Sequence, residues 1–208
     1  MSMNTDFQHI YQPGEAGQPT LLLLHGTGGN EASLIQLARS VAPRFGVLSP
    51  RGRVLEHGAP RFFRRFAEGV FDLEDLRFRA GELAAFVQDA ARHYQFDAAS
   101  VIALGYSNGA NIAAALLLLH PQALAHAVLL RVMMPLEVEA LPDLAGKRVL
   151  IAAGSEDSLI PRASVERLIE VLRRARADVQ PVWQQTGHNL TSADLMAMEQ
   201  FLRGLERA

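Results

Sequence analysis

Ser107 stands at the centre of Gly105-Tyr106-Ser107-Asn108-Gly109, a setting in which a hydroxyl can act as a nucleophile. Serine is a weak nucleophile near neutral pH. It needs a base beside it and hydrogen-bond donors for the charge that forms when it attacks a carbonyl. The pentapeptide follows the apolar run 100–104 and opens the helix-forming run 110–119, so the pattern predicts strand, sharp turn and helix with Ser107 at the apex. Small residues at 105 and 109 suit a tight crossing there. His188, in Gly187-His188-Asn189, is the candidate base, because neutral imidazole accepts a hydroxyl proton and can return it to a leaving group. Asp157, in Gly154-Ser155-Glu156-Asp157-Ser158, is the candidate acid that would hold the imidazole in one tautomer. Glu156 is the neighbouring alternative, and Asp143 and Asp178 lie away from the strand ends.

The charged oxygen of a tetrahedral intermediate calls for backbone donors. The amide after the nucleophile belongs to Asn108, and a second is expected from Thr27 in His25-Gly26-Thr27-Gly28-Gly29-Asn30. The glycines there would let the loop fold back with its amides exposed. His25 with His57 and His188 matches no zinc spacing, and the loop fits neither a P-loop nor Gly-x-Gly-x-x-Gly. No metal and no organic cofactor are expected.

Parallel strands must position these residues. Residues 20–24, Thr-Leu-Leu-Leu-Leu, are continuously apolar, as a strand covered on both faces requires. Further strands are expected at 45–49, 100–104, 127–130 and 148–153, with an edge-like, alternating one at 179–185. Helices are expected at 32–42, 73–94, 110–119 and 162–177, and a last one opens on Thr191-Ser192-Ala193-Asp194, a capping box. The alternation predicts an α/β fold, a mostly parallel sheet with helices on both faces, in one domain over 1–208. The four candidate loops then collect at the carboxyl ends of the strands, where ligands bind in such sheets. Residues 51–71 mix Gly, Pro, Arg and Phe without a period and read as a long surface excursion with one helical turn.

Composition narrows the function. There is no cysteine, so disulfides, thiolate metal sites and cysteine nucleophiles are excluded. Twenty Lys and Arg against 22 Asp and Glu give a net charge of -2, which offers no field for a nucleic acid. No apolar run approaches the ~20 residues of a membrane span. Residues 1–8 lack the order of a secretory signal, so the expected location is the cytoplasm.

The motifs His25-Gly26-Thr27-Gly28-Gly29-Asn30-Glu31, Ser49-Pro50-Arg51-Gly52, Gly105-Tyr106-Ser107-Asn108-Gly109-Ala110-Asn111 and Gly187-His188-Asn189-Leu190 resemble the α/β-hydrolase superfamily, and within it the compact phospholipase/carboxylesterase group. The resemblance covers nearly the whole chain. It implies an esterase without a separate cap domain, a possible homodimer, and the roles already given to Ser107, Asp157, His188, Thr27 and Asn108. Two departures stand out: Asp157-Ser158 where Asp-Pro is common, and Val132 in Arg131-Val132-Met133-Met134-Pro135 where relatives often carry proline.

The expected substrate is a small carboxylic ester, uncharged or singly acidic, cleaved through an acyl-enzyme. A thioester or lactone would use the same groups, and a binding protein that keeps the fold without turnover is a third class. Candidate pocket walls are Phe62, Phe63, Phe66, Met133, Met134, Leu159 and Leu190. Arg51, Arg53, Arg64 and Arg65 are expected to be mostly solvated. Residues 51–71 are read as the substrate rim, with a dimer surface as the alternative.

Overall fold

Leu21, Leu22, Leu23 and Leu24 are all fully buried because alternate members face opposite helical layers. A computed structural model describes residues 7–206 of the chain. The elements run β1 (His9–Gln12), β2 (Thr20–Leu24), α1 (Ile35–Val41), β3 (Gly46–Pro50), β4 (Val54–Glu56), β5 (Ala59–Arg61), β6 (Arg65–Ala67), β7 (Val70–Phe71) and α2 (Leu73–Tyr94). They continue with β8 (Val101–Tyr106), α3 (Asn108–Leu119), β9 (His126–Leu130), β10 (Arg148–Gly154), α4 (Arg162–Arg174), β11 (Asp178–Gln184) and α5 (Ser192–Arg203).

The main sheet has the order β1-β3-β2-β8-β9-β10-β11, parallel except for β1, which pairs antiparallel with β3. Leu22, Leu24, Val101 and Ala103 pack with α2, α3 and α4 on one face, and Leu21, Leu23, Ile102 and Leu104 with α1 and α5 on the other. This is an α/β-hydrolase fold. Helix α3 is buried from Asn108 to Leu118, as its apolar circumference demands. No helix among the described residues is long and apolar enough to cross a membrane. Residues 1–6, most of the opening segment that lacks a signal pattern, lie outside the described residues.

Two expectations are corrected. Strand β1 was not among the expected elements: its residues are only half-buried and too few to carry a pattern. The excursion 51–71 contains no helical turn and instead forms two β-hairpins, β4–β5 and β6–β7. His57 and Gly58 both take positive φ (51° and 83°), the two-residue turn that joins twisted strands. Strands of two or three residues are too short for a period to be read.

Ion pairs pin the hairpins. Arg51 binds Glu31, Arg53 binds Glu82, Arg64 binds Asp72, and Arg65 binds Glu56 and Glu68. Arg51, Arg53 and Arg64 keep 36%, 37% and 59% of their side chains exposed, as expected, while each also holds a carboxylate; Arg65, at 24%, is the more enclosed one. Asp72 also caps α2 by accepting the Asp75 amide, so Arg64 ties the second hairpin to the helix start.

Candidate active site

The carboxyl ends of β2, β8 and β10 place three loops side by side, through the registers Leu24 with Gly105, Tyr106 with Leu130, and Ala152 with Leu130. Ser107 sits between β8 and α3 at φ 53° and ψ -116°, a conformation costly for a residue with a side chain. Its amide donates to Leu130 O at 2.9 Å. A Cβ at Gly105 would come within 2.6 Å of Gly109 O, and one at Gly109 would collide with Leu24 O. The turn can be this tight only with glycine at both positions.

Ser107 Oγ lies 3.0 Å from His188 Nε2, and His188 Nδ1 lies 2.8 Å from Asp157 Oδ2. A carboxylate can only accept, so Nδ1 carries the proton and Nε2 faces the serine hydroxyl as acceptor. Asp157 Oδ1 accepts the amides of Leu159 and Ile160 at 2.9 and 3.2 Å, and its side chain is 1% exposed. Glu156 points to solvent. The three predicted side chains are thus in one hydrogen-bonded chain.

The His188 loop is braced from below by a pair that sequence reasoning did not connect. Arg131 is fully buried at φ 54° and binds both oxygens of Asp194, at 2.7 and 3.3 Å. It also donates to Ala152 O at 3.0 Å and to Asn189 O at 2.6 Å. Asp194 Oδ2 accepts the amide and hydroxyl of Thr191, completing the expected capping box of α5. Burial would push the Asp194 carboxyl up, but the hydrogen bonds from Arg131 and Thr191 outweigh it and hold the group below the usual carboxylate range. Tyr106 Oη donates to His188 O at 3.0 Å and braces the loop from the other side.

The loop after β2 is locked to the first hairpin. His25 is buried against Phe62, its Nδ1–H donates to Gly26 O at 2.7 Å, and its Nε2 accepts the Gly52 amide at 2.9 Å. Burial pushes this imidazole below its ordinary value, so it stays neutral and both bonds persist. The Gly28 amide donates to Pro60 O, and Arg61 Nη1 donates to Thr27 Oγ1 at 2.9 Å. Among the described residues, neither the Thr27 nor the Asn108 amide has a protein acceptor.

Thr27, Ser107, Asn108 and His188 open onto a narrow cleft of about 30 Å³, whose walls include Met133, Leu159 and Ile160. A second, open groove of about 470 Å³ runs past Thr27, Tyr106, Leu34, Leu37 and Leu190. So Met133 and Leu159 line the cleft, and Leu190 lines the groove. Four expected walls do not. Phe62 and Phe63 are buried, Phe62 under His25 and Phe63 edge-on to Phe71. Phe66 projects from β6 into solvent at 76% exposure, and Met134 is half-buried with its amide on Ser164 Oγ. The hairpins contribute Arg61, Arg65, Glu68, Gly69 and Phe71 to the cleft instead, and α3 contributes Asn111. Of these, only Asn111 was inside a quoted motif. Among the described residues no cluster of three or more His, Asp or Glu side chains is placed to hold a metal ion.

The comparisons with known proteins agree with this architecture. The model of the phospholipase/carboxylesterase family matches residues 5–205. MhqD of Bacillus subtilis is 48% identical over 184 residues, covering 88% of this chain and 92% of that one. The crystal structure of the Bacillus cereus carboxylesterase is 47% identical, with a TM-score of 0.95 over 97% of this chain and 96% of that one. The carboxylesterase from Mesorhizobium loti is 35% identical, with a TM-score of 0.83 over 89% and 88% of the two chains. The chain therefore belongs to the phospholipase/carboxylesterase family of α/β-hydrolases, as a hydrolase acting on ester bonds.

Proposed function

We propose that the protein cleaves small carboxylic esters through an acyl-enzyme formed on Ser107. His188 Nε2 takes the hydroxyl proton as Ser107 Oγ bonds to the ester carbonyl carbon. The amides of Thr27 and Asn108 receive the oxyanion, and Asp157 stabilises the imidazolium without taking its proton. The tetrahedral intermediate collapses, the ester C–O bond breaks, and His188 hands its proton to the departing alcohol. Water then repeats the sequence on the acyl-enzyme, with His188 again as base. The single observation that carries this reading is the unbroken chain Ser107–His188–Asp157, at 3.0 and 2.8 Å.

The two cavities suit an ester with unequal halves, a small one in the cleft and a larger apolar one in the groove. They meet at Thr27, beside which the carbonyl oxygen would sit. Replacing Ser107 by alanine tests the proposal. Turnover of a p-nitrophenyl ester is expected to fall by several orders of magnitude with the unfolding midpoint unchanged. Retention of more than about a tenth of the parent rate would remove Ser107 as nucleophile.

A further inference from the structure

Among the described residues, three side chains lining the cleft carry donors without a protein acceptor. The Arg61 side chain is 3% exposed; its Nε donates to Phe63 O and its Nη1 to Thr27 Oγ1 and Glu56. Among the described residues its Nη2 has no hydrogen-bond partner. Asn111 Oδ1 accepts the Met133 amide at 3.0 Å, which fixes the orientation of its amide and leaves Nδ2 as the free end. Asn108 is fixed in the same way by the Phe62 amide at 2.8 Å, and its Nδ2 is buried without a partner. All three residues line the cleft beside Ser107.

The charge follows the same sign. Glu56 is shared between Arg61 and Arg65, so these three side chains carry one net positive charge. Glu68 is 61% exposed and held by Arg65, at the rim where water screens it. An apolar acyl chain would leave the inward donors unmatched, whereas a group rich in acceptors would match them.

We infer that the acyl half of the substrate ends in a carboxylate: the ester is a half-ester of a short dicarboxylic acid, with Arg61 and Asn111 binding the free carboxylate. The inference rests on the ester-hydrolase reading and deepens it. The acyl half belongs in the cleft because it must stay beside Ser107 and Asn108 while the alcohol leaves, and the groove past Thr27 and Tyr106 is the more open side. The cleft's volume of about 30 Å³ limits the acid to a short one. The carboxylate makes and breaks no bond; it holds the ester carbonyl at Ser107.

The test compares kcat/KM for monoethyl succinate with that for its uncharged analogues, ethyl methyl succinate and ethyl butyrate. The parent is expected to favour the charged ester by roughly 10–100-fold, the worth of one hydrogen-bonded charge. Asn111→Leu and Arg61→Gln are each expected to shrink that ratio towards unity. A readout on the parent alone avoids dependence on how the variants fold: free succinate should slow fluorophosphonate labelling at lower concentration than butyrate does. Equal or reversed preference in the parent, or a preference that survives both substitutions, overturns the inference while ester hydrolysis stands. Absence of turnover on every ester together with absence of labelling overturns the ester-hydrolase reading, and this inference with it.

Discussion

Ser107 lies between two flanks, and each holds a buried arginine. On the base flank, Arg131 meets a carboxylate of its own and two carbonyls, so four hydrogen bonds consume both terminal nitrogens. On the cleft flank, Arg61 shares Glu56 with Arg65 and keeps Nη2 unbound. The difference lies in the acceptors the chain supplies. A guanidinium whose two terminal nitrogens are bound to its own protein fixes a loop, here the one carrying His188, even though its Nε is buried without a partner among the described residues. One left with a free donor beside a nucleophile is available to a ligand. Losing the Arg131 bonds on the base flank should therefore cost rate and stability, and substitutions on the cleft flank should cost selectivity.

The largest effect is expected inside the base flank. In Asp157→Asn, Oδ1 can still accept the Leu159 and Ile160 amides, so stability should hardly change. The new amide would face His188 Nδ1 with a donor and force the wrong tautomer, lowering kcat by about 10⁴. Glu156→Gln should be nearly silent, since that side chain is exposed. Steady-state rates decide the matter, and the reverse ranking would move the acid to Glu156. Next comes Arg131→Met, which strands a buried carboxylate and should cost about 3–5 kcal/mol in denaturant unfolding. Adding Asp194→Leu should restore much of that stability but not the rate, because Asn189 O would still lack its anchor. If the double variant regained full kcat, the base flank would be scaffold alone.

Much of the main sheet was legible because its strands are apolar over their full length and stop at glycine-rich loops, as 20–24 and 148–153 do. Helix α2 agrees with its expected bounds at both ends, where Asp72 caps it and Gln95 leaves it in the left-handed conformation. Ser107 and Asp157 stood out because each follows such a strand, and His188 because it follows the alternating edge strand β11 in a glycine-containing loop. The cleft flank did not stand out. Phe62 and Phe63 turn inward because β5 closes over the loop after β2, a contact settled by long-range hydrogen bonds such as Gly28 to Pro60. The Thr191–Asp194 box was local and could be read. The second partner of Asp194 lies 63 residues away in an otherwise apolar run, and no local pattern announces it.

The central claim is that Ser107 is the activated nucleophile, and a mechanism-based label tests it most directly. A fluorophosphonate should modify the parent once per chain, on the peptide carrying Ser107 by mass mapping, and His188→Ala should slow the labelling. Ser107→Ala should take up no label while unfolding at the parent's midpoint. Equal labelling of that variant, or an adduct on any other residue of the parent, would contradict the account.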